Sequence, residues 1–232
     1  MLTLDINSNT SNICINNKVD AIGIINSELE YSHEVYGEKF FSFIIKIKRL
    51  SAEFDYLSCI ISERIIDLSK LKIEKLVNIS GQYRSYNNIT SSGNKLILAI
   101  FVKNITVLHR TNDKDINNIK NLQDNIYVNS ILLNGHICKQ PTYRSTPLGR
   151  DITDVLLAVN RNYNKSDYIP CIAWGRNAKF AGSLTVGTNI TIIGRIQSRQ
   201  YKKYLTESEA IYKTAYEVSI SKLEVVRPLR SL

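Results

Sequence analysis

A chain of 232 residues with 44% hydrophobic and 22% charged residues has the composition of a globular protein, which excludes wholesale disorder. No apolar run approaches the roughly 20 residues that a membrane-spanning helix needs, and no basic segment followed by an apolar one opens the chain. We therefore expect a cytoplasmic protein without a membrane partner. The net charge of +9 is uneven, because residues 1–127 carry 15 Lys and Arg against 14 Asp and Glu, whereas residues 128–232 carry 15 against 7. A surface this basic attracts polyanions, so the second part of the chain is predicted to bind one.

The first part of the chain has a β-type pattern. Residues 1–17 are rich in Asn, Ser and Thr and are predicted to form a loose leader. From Phe41 to Ile47, apolar residues at alternate positions indicate a strand with one face turned inward. The elements predicted after it are a strand over 56–61, an amphipathic helix over 65–76, and strands over 77–81 and 96–108.

The second part of the chain repeats the first at a constant offset of 112 residues. The matched pairs are Gly23 and Gly135, Tyr31 and Tyr143, Gly37 and Gly149, Arg49 and Arg161, Asp55 and Asp167, Tyr56 and Tyr168, and Cys59 and Cys171. The offset then slips to 113, as in Gly81 and Gly194. The repeated elements are strands over 155–159 and 168–174, a shorter helix over 177–184, and strands over 190–194 and 216–226. A period of this length indicates a duplicated domain rather than a solenoid unit.

Each copy thus consists of three strands, a helix and two strands, with glycines at strand bends. This order is typical of a five-stranded OB barrel. We therefore predict a mainly β fold of two tandem OB-fold barrels, each with a helix between strands 3 and 4. The predicted segments are the leader at 1–17, a first domain at 18–108, a polar linker at 109–127, a second domain at 128–226 and a short basic tail at 227–232.

Tyr168 and Trp174 lie six residues apart in one predicted strand of the second domain, so alternation puts them on the same face. The opposite face of the strand carries Ile169, Cys171 and Ala173. If the aromatic face looks outward, it forms a stacking platform, and if it looks inward, it belongs to the core. We favour the platform, because the opposite trio is too small and too apolar for an exposed face.

Five segments of the second domain form a distinctive set of motifs. They are Gly135-His136-Ile137, Pro141-Thr142-Tyr143-Arg144-Ser145-Thr146-Pro147-Leu148-Gly149, Leu157-Ala158-Val159-Asn160-Arg161-Asn162-Tyr163, Asp167-Tyr168-Ile169-Pro170-Cys171-Ile172-Ala173-Trp174-Gly175-Arg176 and Gly194-Arg195-Ile196-Gln197-Ser198-Arg199. Through these motifs the second domain resembles a known family, the bacterial single-stranded DNA-binding proteins. The resemblance covers about residues 130–226 and extends to 18–108 only through the internal repeat.

The resemblance implies an OB fold that stacks nucleic-acid bases on aromatic side chains, each base contributing about 1–3 kcal/mol. The aromatic residues at the matching positions are Tyr163, Tyr168, Trp174 and Tyr201. The basic residues that flank them are Arg161, Arg176, Arg195, Arg199, Lys202 and Lys203, which we expect to contact phosphates.

The first domain departs from this pattern. Tyr56 keeps the position of Tyr168, but Ser62 stands in place of Trp174 and Ser51 in place of Tyr163. The residues that form either a partial replacement site or part of the core are Phe54, Tyr83, Arg84 and Tyr86. The first domain is therefore expected either to bind nucleic acid weakly or to serve in assembly.

From these features we predict sequence-independent binding and protection of single-stranded DNA, mainly by the second domain, in a nucleoid-associated protein of DNA replication, repair or recombination. Two alternatives stay open: an adaptor of the primosome or recombination-mediator type, and binding of single-stranded RNA by the same surface. Two barrels per chain allow either a monomer or a homodimer. The family's acidic tail is replaced by the basic residues 227–232, so recruitment of proteins through a tail is not expected.

Features of an enzyme or a cofactor site are lacking in the sequence. His33, His109 and His136 are isolated from one another, and no glycine-rich phosphate loop precedes a helix. The four cysteines are scattered without a Cys-x-x-Cys pair, so we expect reduced thiols and no zinc. We predict a protein that is not an enzyme, with no cofactor, no metal and no small-molecule substrate.

Overall fold

Twelve β-strands, one short α-helix and one 3₁₀ helix are found in the computed structural model, which describes residues 16–51, 53–90, 93–108, 127–146, 148–162, 164–204 and 210–226. The first six strands are β1 (Asn17–Ile25), β2 (Glu30–Val35), β3 (Glu38–Lys48), β4 (Phe54–Ser62), β5 (Leu76–Thr90) and β6 (Gly93–Leu108), with the 3₁₀ helix η1 (Leu68–Lys70) between β4 and β5. The last six are β7 (Val128–Ile137), β8 (Thr142–Ser145), β9 (Asp151–Asn160), β10 (Ser166–Trp174), β11 (Asn189–Tyr204) and β12 (Ala210–Val225), with helix α1 (Arg176–Gly182) between β10 and β11. Neither helix in these ranges has the length and apolar composition required to cross a membrane.

Each half of the chain closes into a barrel of five strands. In the first barrel β1 pairs with both β3 and β5, and the ring continues through β4 and β6. The strands β7, β9, β10, β12 and β11 close the second barrel in the same way. The short strands β2 and β8 were not predicted, and they pair at the outer edges with β3 and β9. The expected mainly β fold of two five-stranded barrels is thus confirmed, whereas the domain limits at 18–108 and 128–226 stay a prediction.

The core of both barrels follows the alternation of the strands. On β3, Phe43, Ile45 and Ile47 are buried, as the period of two predicts. On β9 the buried residues are likewise spaced by two, at Val155 and Val159 among others. These side chains belong to a single apolar cluster that includes residues of both barrels. The two barrels therefore share one continuous hydrophobic core.

The amphipathic helix predicted over residues 65–76 is wrong. This segment forms only η1, whose N-cap is Asp67, with its side chain accepting a hydrogen bond of 3.0 Å from the Ser69 N–H. Downstream of η1 one turn bond joins the Lys75 N–H to the Lys72 carbonyl, and the other bonds go to β1: Glu74 donates to the Ile25 carbonyl and Ile25 donates to the Lys75 carbonyl, both at 2.9 Å. Pairing with β1 thus outweighs local helix propensity. The second helix forms at 176–182, close to the predicted 177–184.

The barrels are joined by antiparallel pairing of β1 with β7. Val19 lies opposite Ile131, which is its own equivalent at the 112-residue offset of the repeat. The neighbouring pairs Lys18 with Leu132 and Asp20 with Ser130 are images of each other under the same offset. A local two-fold axis therefore passes between Val19 and Ile131, and the twelve strands form one continuous sheet.

In each barrel, a buried ion pair between an arginine and an aspartate also bonds to a serine of the other barrel. Arg161 bonds Asp167 with an Nε–Oδ2 distance of 2.6 Å, and its Nη2 donates to the Ser85 carbonyl at 2.6 Å. In return, the Ser85 N–H donates to Asp167 at 2.5 Å, and the Ser85 hydroxyl accepts the Tyr168 N–H at 2.8 Å. The network thus fastens the start of β10 to β5 of the first barrel.

The symmetric copy of this network links β4 to β11. Arg49 bonds Asp55 at 2.5 Å and donates to the Ser198 carbonyl at 2.7 Å. The Ser198 N–H donates to Asp55 at 2.9 Å, and its hydroxyl accepts the Tyr56 N–H at 2.8 Å. Two equivalent polar networks therefore flank the β1–β7 pair and fix the orientation of the barrels.

Replacing Asp167 by alanine is expected to lower the free energy of unfolding by about 3–5 kcal/mol, because Arg161 would keep a partly buried charge without its carboxylate. The matched control is Asp154→Ala, which removes a half-exposed ion pair with Arg144 and should cost at most about 1 kcal/mol. Urea unfolding followed by circular dichroism gives both values. Equal losses in the two variants would contradict the structural role of the buried network.

Candidate nucleic-acid interface

The aromatic face of β10 looks outward. Tyr168 and Trp174 are 48% and 37% exposed, whereas Ile169, Cys171 and Ala173 are buried in the second barrel. Of the two orientations that the sequence left open, the structure therefore has the one with the aromatic side chains in solvent. We call the surface formed by Tyr168 and Trp174 the platform.

Trp174 is held at the very end of β10. It pairs with Ile152 of β9, and Ile152 pairs in turn with Arg144 of the edge strand β8. The next residue, Gly175, has a φ of +56°, a left-handed conformation that favours glycine, and its N–H donates to the Asp151 carbonyl at 2.9 Å. The chain can therefore turn sharply into α1 while the indole stays on the outer face.

Two arginines and a tyrosine of β11 lie at alternate positions on one face of that strand. Arg195, Arg199 and Tyr201 share one parity, while Ile196 and Ser198 of the other parity are buried. Arg199 and Tyr201 are exposed, and Arg195 is half-buried. A strand that alternates in this way presents a row of cationic and aromatic side chains to solvent.

A bulge of β12 lies opposite Gly194, at the start of this row. The pairing of β11 with β12 shifts register between Ile193 and Gly194, and a Cβ atom at Gly194 would lie only 2.3 Å from the Ser219 carbonyl oxygen. After the bulge Arg195 pairs with Ser219, and Ser219 pairs with Ile172 of β10. Arg195 therefore lies in the same transverse row as Ile172, which lies between the two platform residues along β10.

The other predicted site residues have different positions. Arg161 belongs to the buried network with Asp167 and Ser85, so its guanidinium is occupied by protein partners. Arg176 is exposed at the start of α1. Tyr163 lies outside the described residues, and for Lys202 and Lys203 the structure describes the strand backbone of β11 alone.

The two polar networks bring residues of one barrel beside the aromatic side chains of the other. Tyr56, which is 41% exposed, is hydrogen bonded to Ser198, the residue before Arg199. Tyr168 is bonded in the same way to Ser85, which follows Arg84 in β5. The serine that bonds each exposed tyrosine is therefore adjacent in sequence to a cationic residue of the opposite barrel.

Of the four first-domain residues for which the sequence left two roles open, one belongs to the core. Tyr83 is fully buried, and burial raises the pKa of its phenol well above the ordinary value. The remaining three, Phe54, Arg84 and Tyr86, are exposed or half-buried. Burial lowers the pKa of Arg84, and the Arg161 guanidinium lowers it further.

A second aromatic surface, missed by the sequence analysis, lies on the outside of the first barrel. Phe40, Ile60 and Ala99 form a small buried cluster against which Phe101 packs, with Phe40 and Phe101 ring centroids 5.8 Å apart. The His33 ring stacks on Phe40 at 4.8 Å with an interplanar angle of 5°. The adjacent pair Phe40-Phe41 could have indicated this surface, because consecutive residues of a strand point to opposite faces.

One acidic residue was also missed, at the centre of the basic surface. Glu217 of β12 pairs with Gln197 of β11. Burial raises the pKa of the Glu217 carboxyl; Arg199 lowers it, Asp154 raises it, and Arg144 and Arg49 lower it. The net effect raises the pKa of the Glu217 carboxyl, so it binds a proton more readily than an exposed glutamate does.

The described ranges contain few residues that could bind a metal ion or a cofactor. No group of three or more His, Cys, Asp and Glu residues suited to a metal ion occurs there. Cys59, Cys138 and Cys171 are free thiols, and burial raises the pKa of each. Buried thiols with raised pKa values are poor nucleophiles and poor metal ligands.

Comparison with known proteins assigns the chain to a family. The model of the Single-strand binding protein family matches residues 128–226. The Single-stranded DNA-binding protein 3 of Streptococcus agalactiae is 33% identical over 94 residues, which are 38% of this chain and 67% of that protein. This chain belongs to the single-strand binding protein family.

Other members of the family match over a smaller share of their length. The Single-stranded DNA-binding protein of Enterococcus faecalis is 32% identical over 94 residues, 38% of this chain and 49% of the relative. This chain therefore spans about half the length of that relative. The crystal structure of the wild-type single-stranded DNA binding protein from Thermus aquaticus superposes with a TM-score of 0.69 at 18% identity, covering 93% of this chain and 95% of the other. At that identity the likeness shows the fold, here across both barrels.

Proposed function

We propose that this protein binds and protects single-stranded DNA without sequence specificity, and that the second barrel contributes most of the affinity. The observation that carries the proposal is the platform: two exposed aromatic side chains on β10, separated only by β12 from the strand β11 that displays Arg195, Arg199 and Tyr201. Membership of the single-strand binding protein family supports the same activity.

The mechanism follows from the chemistry of these side chains. Every base has a π face, so stacking on Tyr168 and Trp174 tolerates any sequence and contributes about 1–3 kcal/mol for each base. Arg199 and Arg195 add charge-assisted contacts to phosphates, and counterion release makes the affinity fall with salt. A strand held in this way cannot pair with a complement, so binding opposes hairpins and duplexes by mass action.

The remaining residues of the predicted site have different roles in this proposal. Tyr201 and Lys203 extend the binding row along β11, Lys202 adds a cation of the other parity near the end of that strand, and Tyr163 and Arg176 flank the platform in sequence. Arg161 acts as a positioning residue, because its bond to Ser85 holds the start of β10 in place. Tyr56 adds a single stacking position on the first barrel.

The testing experiment uses Trp174, the only tryptophan of the chain, as a probe. Titration with oligo-dT of increasing length at two salt concentrations is expected to quench its fluorescence, with tighter binding at low salt. A parallel titration with oligo-U of equal length measures the preference between DNA and RNA. Absence of both quenching and binding would contradict the proposal and favour the adaptor function.

Trp174→Ala is expected to weaken binding of oligo-dT by about 1–3 kcal/mol, the contribution of one stacked base. Tyr56→Ala is the matched control on the first barrel, where neighbouring stacking positions are occupied by serine, and its loss should be smaller. Fluorescence anisotropy of labelled oligo-dT measures both affinities. Equal losses would argue against the unequal roles of the two barrels.

The pH dependence of binding is expected to report on Glu217. As the pH falls from neutral to mildly acidic values, this carboxyl becomes protonated earlier than an ordinary glutamate and a negative charge leaves the basic surface. Binding should therefore strengthen by about two- to fivefold, the size of a partly screened charge interaction. Glu217→Gln should bind more tightly at neutral pH and lose most of this pH dependence. An unchanged pH profile in the variant would refute the effect.

A further inference from the structure

On the outer face of the first barrel, the Phe101 ring lies between two cations. The Arg84 guanidinium carbon lies 5.4 Å from the centroid of the Phe101 ring, and the Lys103 Nζ lies 5.3 Å from it. Phe101 is half-buried and Lys103 is exposed, so the group is accessible from solvent. Beneath it, Phe40, Ile60 and Ala99 form a buried support. An aromatic ring on a rigid sheet with cations on it has the two elements that bind a nucleotide, a π surface and positive charge.

This group has no counterpart in the second barrel. Ile60 of β4 pairs with Phe101, and its equivalent Ile172 of β10 pairs with Ser219. The first barrel conversely has Ser62 at the position of Trp174. The aromatic surface of the first barrel is therefore built from different strands than the platform, at a position that the internal repeat does not indicate.

The group is continuous with the platform. Arg84 precedes Ser85, and the Ser85 hydroxyl accepts the N–H of the platform residue Tyr168 at 2.8 Å. The influence of Arg161 on the pKa of Arg84 likewise shows that Arg84 lies close to the network at the junction. A chain of residues thus leads from Trp174 and Tyr168 across the junction to Arg84, and from there to Phe101.

We propose that the first barrel carries a second nucleic-acid site, on which a single strand of DNA continues from the platform. A base stacks at Phe101, and phosphates are bound by Arg84 and Lys103. The His33 ring, stacked on Phe40, extends the surface farther toward β2. The occupant is a DNA strand because the surface is cationic and continuous with the platform, so this inference rests on the proposed function.

The first experiment moves the single tryptophan, which is the fluorescence probe, from position 174 to position 101. In the double variant Trp174→Phe with Phe101→Trp, the only tryptophan lies on the outer face of the first barrel. Oligo-dT of about 30 nucleotides, longer than one OB-fold site of about 4–16 nucleotides, is expected to quench this tryptophan, while anisotropy of the labelled oligonucleotide reports binding independently. Binding without quenching would overturn the second site and leave the proposed function intact. Absence of binding in both this variant and the unmodified protein would overturn both.

Variants without a new probe test the same site. Phe101→Leu keeps an apolar side chain but removes the aromatic ring, and Lys103→Ala removes one cation. Each is expected to weaken binding of the oligonucleotide of about 30 nucleotides by about three- to tenfold, and to leave an oligonucleotide of about 8 nucleotides, which fits the platform alone, unaffected. Lys103→Ala should also lower the slope of log affinity against log salt by about 1.

Lys72→Ala is the matched control, because Lys72 is an exposed cation of the same barrel in the connection between η1 and β5. It should change neither affinity. Effects of Lys103→Ala that equal those of Lys72→Ala, or losses that are the same for short and long strands, would overturn the second site.

Discussion

The antiparallel pair of β1 and β7 is the contact on which the arrangement of this molecule depends. It makes one sheet of two barrels and places the local two-fold axis between Val19 and Ile131. The flanking networks of Arg49 with Asp55 and of Arg161 with Asp167 then fix the orientation, since each reaches a serine of the opposite barrel. Buried ion pairs of this kind contribute little net stability, but they penalise every arrangement that separates the partners.

Orientation matters because the surface proposed for DNA is shared between the barrels. Tyr168 is positioned by Ser85 of the first barrel, and Tyr56 by Ser198 of the second. The platform is therefore a property of the joined molecule more than of one barrel. A small shift at the junction would move the exposed tyrosines relative to Arg84 and Arg199, although every local strand stayed intact.

Much of the fold was predictable because its signals are local. The alternation on β3 and the 112-residue repeat indicate two β domains, and the contrast between the two faces of β10 indicates which one is exposed. The features that local signals do not predict depend on contacts between residues distant in sequence. The segment over 65–76 is not helical because its backbone bonds to Ile25, and Arg161 is occupied because Ser85, 76 residues away, lies next to it. The Phe101 surface was missed because the parallel pairing of β4 with β6 is invisible in the alternation of either strand.

The local two-fold axis has a consequence for any polymer that has a direction. A strand of DNA that crosses the junction runs toward it along one barrel and away from it along the other. Rotation about the two-fold axis would instead turn a strand that runs toward the junction into a second strand that also runs toward it. Equivalent residues of the two barrels would therefore meet the same strand with its 5′ and 3′ ends exchanged. Duplicating one set of contacts cannot serve both barrels equally well. The serine at position 62 and the separate aromatic surface around Phe101 are differences between the two halves of the kind that a strand crossing both barrels, as proposed, would require.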